Sequence, residues 1–227
     1  MSLKTADRQA LVALLVEAGV LRFGEFTLKS GRQSPYFFNL GALHGGAAIQ
    51  QLGEAYAARI EAAGLDYDVV FGPAYKGIPI AVATAEALAR LGRDTAWAFN
   101  RKEIKAHGEG GAFVGGDVTG RVVLVDDVLT AGTAIREAVG LIRAAGGSIA
   151  GVVIALDRRE LADGDATAVE ALAAEIGAPV LSLLGLEDVI EYLDAAAGGD
   201  NHQAELSARI REYRQRYCAP DGDVRTL

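Results

Sequence analysis

Short apolar runs alternate with helix-like segments along most of this chain, and this alternation restricts its fold more than any other feature. Strand-like runs lie near residues 68–71, 95–99, 121–126 and 149–156, with segments of amphipathic helical spacing between them. Strands of a parallel sheet are buried on both faces and are therefore almost continuously apolar. The pattern predicts an α/β fold with an open, mostly parallel sheet and helices on both faces.

The remaining segments flank this α/β core within a single domain. Residues 21–43 carry five aromatic residues among turn-forming residues, which predicts a small β-rich lobe at about residues 20–45. The core would then span about residues 46–185, followed by C-terminal helices and a tail at about 186–227. The alanine and glycine run at 195–199 is interpreted as a joint before the last helix.

Composition excludes several classes of protein. The chain of 227 residues is 51% hydrophobic and has a formal net charge of −8, which argues against a nucleic-acid partner. The apolar residues at 10–20 are interrupted by Glu17 and follow helical spacing, so they predict an amphipathic helix rather than a membrane segment. The single cysteine, Cys218, fits a cytoplasmic location.

The stretch VVLVDDVLTAGTA, residues 122–134, indicates a ligand. Ligands of open parallel sheets bind beyond the carboxyl ends of the strands, where Asp126 and Asp127 are expected. Residues 130–133, at the start of the next helix, would offer backbone N–H groups and hydroxyls to an anion. Two carboxylates accept hydrogen bonds and suit the adjacent hydroxyls of a ribose, so the stretch predicts a sugar phosphate. The alternative is that Asp127 caps the helix and Asp126 is a solvated strand end.

Three other stretches have both a functional and a structural interpretation. Residues 100–111 contain three cations and a histidine followed by glycines, which describes either a lid for an anionic group or a solvated loop. Residues 72–79 form a strand-to-helix turn with Lys76 at the helix start, where the helix dipole disfavours a cation unless an anion binds nearby. Residues 28–39 are either part of a ligand site or a hairpin whose aromatic residues are core.

Residues 122–133 resemble the signature of the type I phosphoribosyltransferases, which bind 5-phosphoribosyl 1-diphosphate. Together with the other three stretches and the run Leu156–Glu160, they are similar to the orotate-specific branch of that family over about residues 20–160, in the same order along the chain. The resemblance implies the type I phosphoribosyltransferase fold. It also implies transfer of the phosphoribosyl group to orotate, a step of pyrimidine biosynthesis.

The resemblance also implies roles for individual residues. Phosphoribosyl diphosphate would contact Lys29, Tyr75, Lys76, Arg101, Lys102, Lys105, His107, Asp126, Asp127, Val128, Leu129, Thr130, Ala131, Gly132, Thr133 and Ala134. Orotate would contact Lys29, Phe37, Phe38, Thr130 and Arg158, the last through its carboxylate. Catalytic roles would fall to Lys102, Lys105, His107, Asp126 and Asp127. Asp157 either positions Arg158 or simply ends the strand.

The resemblance further implies Mg²⁺, a homodimer with shared active sites, and a non-proline cis peptide between Ala74 and Tyr75. No cluster of histidines and carboxylates indicates a metal site made by the protein, so Mg²⁺ is expected to be held mainly by the substrate. Two alternatives remain. A purine-type phosphoribosyltransferase would not need both Arg158 and the stretch at 28–39, and a regulatory binding protein would be expected to lack the basic segment at 100–111.

Overall fold

The computed structural model describes residues 5–28, 31–105, 111–129, 132–161, 166–198 and 201–219, with the backbone alone at 104–105. Its helices are α1 (Thr5–Glu17), α2 (Gly46–Ala63), α3 (Gly77–Arg90), α4 (Thr133–Ala144), α5 (Ala168–Ile176), α6 (Leu186–Ala197) and α7 (Asn201–Tyr217). Its strands are β1 (Leu21–Thr27), β2 (Gln33–Phe38), β3 (Val69–Phe71), β4 (Ala96–Lys105), β5 (Gly111–Gly115), β6 (Arg121–Val128), β7 (Ser148–Asp157) and β8 (Val180–Gly185). Within the described ranges, no helix is both long and apolar enough to cross a lipid bilayer.

The main sheet has the strand order β5-β4-β3-β6-β7-β8. All neighbouring strands are parallel except β5, which runs antiparallel to β4. The predicted mostly parallel sheet is therefore confirmed. In the register, Phe71 pairs with Leu124 and Val128 pairs with Leu156, so the chain leaves β3, β6 and β7 on the same side of the sheet. We call this side the carboxyl edge.

Helices cover both faces of the sheet, as predicted. Successive side chains of a strand point to opposite faces, and β6 divides its residues accordingly. Val123 and Val125 belong to a core that includes residues of α1, α2, α3, α6 and α7, whereas Val122 and Leu124 pack against α4 and α5. A strand buried on both faces is rigid, so residues at its carboxyl end have a fixed position relative to the neighbouring strands.

Helix α2 shows how the sequence pattern becomes packing. Leu52, Tyr56 and Ile60 are spaced four residues apart and are fully buried, which matches the spacing of one helical face. Burial of each such side chain contributes roughly 1.5–3 kcal/mol. The helix ends where Gly64 adopts a left-handed conformation with φ of 63°, which glycine allows at little cost. Tyr56 thereby comes to lie beneath the end of β6.

The predicted small β-rich lobe is an antiparallel ribbon of β1 and β2. Tyr36 of β2 is fully buried, and its ring meets the edge of the Tyr213 ring of α7 with centroids 5.9 Å apart. The last helix therefore packs directly against the ribbon. This contact brings the C-terminal part of the chain close to the segment that follows β7.

Two local predictions were wrong. Asn100 to Lys105 continue β4 instead of starting a loop, and they pair with β5. Lys102 is exposed, so a strand in this hairpin can carry charge without burying it. The alanines at 195–197, predicted to belong to a joint, form the last turn of α6 instead, in keeping with the high helix propensity of alanine. The helix stops at Gly198, and Gly199, the last residue of the predicted joint, lies outside the described residues.

Candidate active site

Strand β6 ends in two buried aspartates at the carboxyl edge. Asp126 Oδ1 accepts a hydrogen bond from the Asp127 amide at 2.9 Å, and Asp127 Oδ1 accepts one from the Val128 amide at 2.8 Å. Tyr56 of α2 donates its hydroxyl to the Asp126 carbonyl oxygen at 2.6 Å. Asp127 does not cap the next helix, whose N-cap is Gly132, and Asp126 is only 8% exposed. The structural alternative for this pair is therefore wrong.

The local environment disfavours a negative charge on Asp126. Burial raises the pKa of its carboxyl from 3.8 to about 7, with a further contribution from the charge of Asp127. The hydrogen bond from the Asp127 amide and the charge of Lys76 act in the opposite direction but only partly offset this rise. Near neutral pH, partial protonation of Asp126 reduces the repulsion between the neighbouring carboxylates. Such perturbed groups in a crevice are frequent at functional sites.

Lys76 contacts the aspartate pair from the start of α3. Its ammonium lies 2.7 Å from Asp127 Oδ2. The Lys76 side chain is 52% exposed, whereas that of Asp127 is 10% exposed, so the ion pair is open to solvent on the lysine side. A helix dipole disfavours a cation at the helix N-terminus, where Lys76 lies. Asp127 compensates for this effect because it supplies a neighbouring negative charge.

The turn between β3 and α3 has a tightly constrained backbone. The peptide bond between Ala74 and Tyr75 is cis, which confirms the sequence-based expectation. Asn100 Oδ1 of β4 accepts a hydrogen bond from the Ala74 amide at 3.0 Å. A Cβ atom on Gly72 would lie 2.0 Å from the Gly77 carbonyl oxygen, so only glycine fits at residue 72. Tyr75 is left 71% exposed beside the aspartate pair.

The predicted anion cradle begins at the end of β6 and continues into α4. Gly132 has φ of 66° and is the N-cap, so Thr133 and Ala134 occupy the first helical positions, where amides have no partner within the helix. The side chain of Leu129 is buried and that of Val128 half-buried, so a ligand would meet these two residues through their backbone groups. Thr130 and Ala131, which complete the cradle, lie outside the described residues.

Arg158 follows β7 and contacts the β-ribbon. Its Nε donates to the Tyr36 hydroxyl at 3.0 Å, and its Nη2 lies 2.5 Å from Glu160 Oε1. Burial disfavours the charge on Arg158, but the contacts with Tyr36 and Glu160 more than offset it, so its pKa is raised. Asp157 accepts a hydrogen bond from the Arg159 amide at 2.8 Å. Asp157 was expected either to position Arg158 or simply to end the strand. This hydrogen bond favours the first alternative, because it fixes the turn that carries Arg158.

The two phenylalanines predicted to contact the base have different environments. Phe38 packs against the buried core that contains Tyr36, two residues earlier on the same face of β2. Phe37 lies on the opposite face and stacks on Phe26 with centroids 5.4 Å apart. Phe38 is therefore on the face of the ribbon that also carries the Arg158 contact, and Phe37 is not.

Part of the basic segment at 100–111 is described. Arg101 and Lys102 lie in β4, and the Arg101 Nε is buried without a hydrogen bond to any described residue. Lys105 is the last residue of β4, and only its backbone is described. The two other predicted cations, Lys29 and His107, lie outside the described residues.

The sequence patterns did not identify several residues that shape the site. Tyr56, Asn100 and Tyr213 contact it from three different elements, through hydrogen bonds to Asp126, Ala74 and Glu160. Tyr56 and Tyr213 follow helical spacing and look like ordinary core residues. Of these three residues, only Asn100 has a sequence context that indicates a site residue, because it is a polar residue directly after an apolar strand.

Comparison with known proteins identifies the family of this chain. A family model described as a phosphoribosyl transferase domain matches residues 40–178. An orotate phosphoribosyltransferase of Marinobacter nauticus is 51% identical over 210 residues, which are 92% of this chain and 97% of the relative. The corresponding protein of Thioalkalivibrio sulfidiphilus is 52% identical over 212 residues, with coverage of 93% and 99%. The crystal structure of orotate phosphoribosyltransferase from Francisella tularensis superposes with a TM-score of 0.81 at 40% identity and covers 92% of this chain and 100% of that one.

The family model matches more than half of the chain, and the relatives align over nearly their whole length. Strands β3 to β7, the buried aspartate pair and the cis turn lie within the residues that the family model matches. The chain belongs to the phosphoribosyltransferase family and, within it, to the orotate phosphoribosyltransferases.

Proposed function

We propose that this enzyme transfers the 5-phosphoribosyl group from 5-phospho-α-D-ribose 1-diphosphate to orotate, giving orotidine 5′-phosphate and diphosphate in the cytoplasm. The observation that carries the proposal is the meeting of Lys76 with the buried Asp126–Asp127 pair at the carboxyl edge. This arrangement combines two carboxyl groups that can accept hydrogen bonds from sugar hydroxyls with an ammonium group that can bind a diphosphate.

The ribose and its 5-phosphate occupy the end of β6. The Asp126 and Asp127 carboxylates accept hydrogen bonds from the ribose hydroxyls. The amides at the start of α4, from Gly132 onward, together with the Thr130 and Thr133 hydroxyls, bind the 5-phosphate, because helix N-termini favour anions. The exposed Lys76 ammonium exchanges part of its contact with Asp127 for the diphosphate.

The basic segment neutralises the leaving diphosphate. Arg101 has a buried Nε that forms no hydrogen bond to the described part of the chain, and a phosphate oxygen would satisfy it. Lys102, Lys105 and His107 supply further positive charge, and Lys29 adds to it from the β-ribbon side. Charge that develops on a departing group is best stabilised by such preorganised donors.

Orotate is held between β2 and the end of β7. Arg158 meets its carboxylate, Phe38 lies against the flat ring, and Phe37 supports the ribbon from its opposite face through Phe26. The planar guanidinium matches the geometry of a carboxylate. In the reaction, the bond from ribose C1 to the diphosphate oxygen breaks, and its electron pair stays on the diphosphate. The orotate ring nitrogen bonds to C1 and loses its proton, which the departing diphosphate can accept.

Mg²⁺ fits this site as an ion that enters with the substrate. Within the described residues, no group of three or more His, Cys, Asp or Glu side chains could hold a metal ion. Magnesium sites often use one or two carboxylates together with substrate phosphates, and Asp127 and Asp126 offer oxygen ligands of this kind. When bound, Mg²⁺ would neutralise charge on the diphosphate.

A homodimer would cover an apolar surface at the start of β4, on the side of the sheet opposite the carboxyl edge. Trp97 and Val82 are 37% and 39% exposed and line one groove, and Phe99 stacks on Trp97 with centroids 6.1 Å apart. Trp97 is the single tryptophan of the chain. Dilution below the dimer dissociation constant should therefore shift its emission to longer wavelength, in step with the molar mass from light scattering. Shared sites would result if the basic segment closes over the partner's active site.

The reaction is tested by the fall in orotate absorbance when phosphoribosyl diphosphate and Mg²⁺ are added. Asp126→Asn combined with Asp127→Asn should lower kcat/KM for phosphoribosyl diphosphate by about 10²-fold or more, because the ribose hydroxyls lose both carboxyl groups as partners. Asp117→Asn is the matched control, since Asp117 is exposed and its hydrogen bonds to described residues are local ones with Thr119. Turnover of a purine base instead of orotate, or binding without turnover, would contradict the proposal.

A further inference from the structure

Arg158 belongs to a closed cycle of four side chains. Its Nε donates to the Tyr36 hydroxyl and its Nη2 contacts Glu160. The Tyr213 hydroxyl of α7 donates to Glu160 Oε1 at 2.6 Å. The Tyr213 ring in turn meets the Tyr36 ring edge-on, with an interplanar angle of 85°. Residues from β2, the segment after β7 and the last helix therefore fix one guanidinium.

The cycle uses one edge of the guanidinium and leaves another for a ligand. Nε and Nη2 share one edge of the planar group, and this edge faces Tyr36 and Glu160. The Nη2 contact with Glu160 lacks hydrogen-bond geometry, and Nη2 is buried without a hydrogen bond to any residue the structure describes. Nη1 also forms no hydrogen bond to the described residues and is not among the buried unsatisfied atoms, so it is the donor left for a planar carboxylate.

The backbone reinforces the same connection. The amide of Leu161 donates to the Tyr217 carbonyl oxygen, and the amide of Ala219 donates to the Arg159 carbonyl oxygen, each at 2.9 Å. The Cys218 thiol donates to the Arg158 carbonyl oxygen at 3.3 Å. The end of α7 is therefore paired with the segment that carries Arg158 and Glu160.

We infer that Glu160 and Tyr213 are positioning residues that hold the Arg158 guanidinium for the orotate carboxylate, so that the last helix forms part of base recognition. This inference rests on the proposed contact between Arg158 and orotate. Glu160 sets the orientation of the guanidinium plane, and Tyr213 holds Glu160 through a hydroxyl that no substrate needs to touch. The Arg32 guanidinium, 3.8 Å from the second Glu160 oxygen, steadies the same carboxylate.

Removal of the Tyr213 hydroxyl is the central test. Tyr213→Phe keeps the ring contact with Tyr36 but leaves Glu160 without its donor. The KM for orotate should rise about tenfold, while the KM for phosphoribosyl diphosphate stays within about twofold. Tyr217→Phe is the matched control on the same helix, because the Tyr217 hydroxyl forms no hydrogen bond to the described residues. Glu160→Gln provides a second variant that should also raise the KM for orotate.

Uracil, which is orotate without its carboxylate, separates positioning from general damage. Its inhibition constant against orotate should be unchanged in Tyr213→Phe, because Arg158 has no carboxylate to meet. An equal rise for orotate and uracil would overturn the inference in favour of a structural role. Unchanged KM for orotate in both variants, with a large rise in Arg158→Ala, would overturn it and leave the proposed function intact. If Arg158→Ala itself leaves the KM for orotate unchanged, the proposed contact with orotate is wrong.

Discussion

Replacement of Asp126 by asparagine should make the free energy of unfolding less dependent on pH. The carboxyl has a pKa of about 7 in the folded chain against an ordinary value of 3.8. The folded state therefore binds more protons than the unfolded state between these values. Stability falls as pH rises through this window and becomes constant above it. This is the reverse of the usual behaviour of a salt-bridged aspartate.

The magnitude follows from the same two values. The full difference between 3.8 and about 7 corresponds to about 4 kcal/mol. About 3 kcal/mol of this should be lost between pH 5 and pH 8.5, because part of the window lies below pH 5. Asparagine is neutral at both pH values, and its Oδ1 can still accept the hydrogen bond from the Asp127 amide.

Urea unfolding of both proteins at pH 5 and pH 8.5 measures the effect. The stability of the variant relative to the unmodified chain should increase by about 3 kcal/mol between the two pH values, and other titrating groups cancel in this comparison. Asp127→Asn is the control and should retain most of the fall, because burial rather than Asp127 is the main cause of the raised pKa. If the relative stability of Asp126→Asn is the same at both pH values, the reasoning is refuted.

Three other predictions concern catalysis and assembly. Arg158→Ala should raise the KM for orotate by about 10²-fold with little change for phosphoribosyl diphosphate, and equal changes in steady-state assays would make Arg158 structural. Lys105→Ala should lower kcat by about 10²–10³-fold at unchanged Tm, because it acts on the departing diphosphate, and near-normal turnover would remove it from the mechanism. Refolding this variant together with a chain carrying Asp126→Asn and Asp127→Asn should restore about a quarter of the unmodified sites if sites are shared. A mixture as inactive as its parents, despite demonstrated mixed dimers, would mean that each basic segment serves its own chain.

The parts of the fold and site that could be predicted depend on local patterns. The apolar run before Asp126 and Asp127 determines a buried strand, and the spacing of Leu52, Tyr56 and Ile60 determines α2. Both features are encoded within a few consecutive residues. The position of the aspartate pair at the carboxyl edge follows from a general rule for ligand sites in parallel sheets.

The contacts that could not be predicted join residues far apart in the chain. Tyr213 reaches Glu160 across 53 positions, and Tyr56 reaches Asp126 across 70. A tyrosine in a helical pattern indicates core packing but does not reveal which polar atom its hydroxyl meets. Similarly, the charges after Asn100 suggested a loop, because periodicity cannot show that β5 is available as a partner for the strand.

The strand register places the binding sites for the sugar donor and for the nucleobase on different strands, which affects how the enzyme can be engineered. The sugar-binding end of β6 and the segment carrying Arg158 leave neighbouring parallel strands, which pair at Val128 and Leu156 and lie about 4.8 Å apart. Under the proposed assignment, the ribose phosphate of the donor is bound after β6, and the nucleobase is bound after β7 with support from the C-terminal helix. Redesign of the nucleobase preference can therefore be confined to β2, the residues after β7 and α7. Affinity for the sugar donor should survive such a redesign.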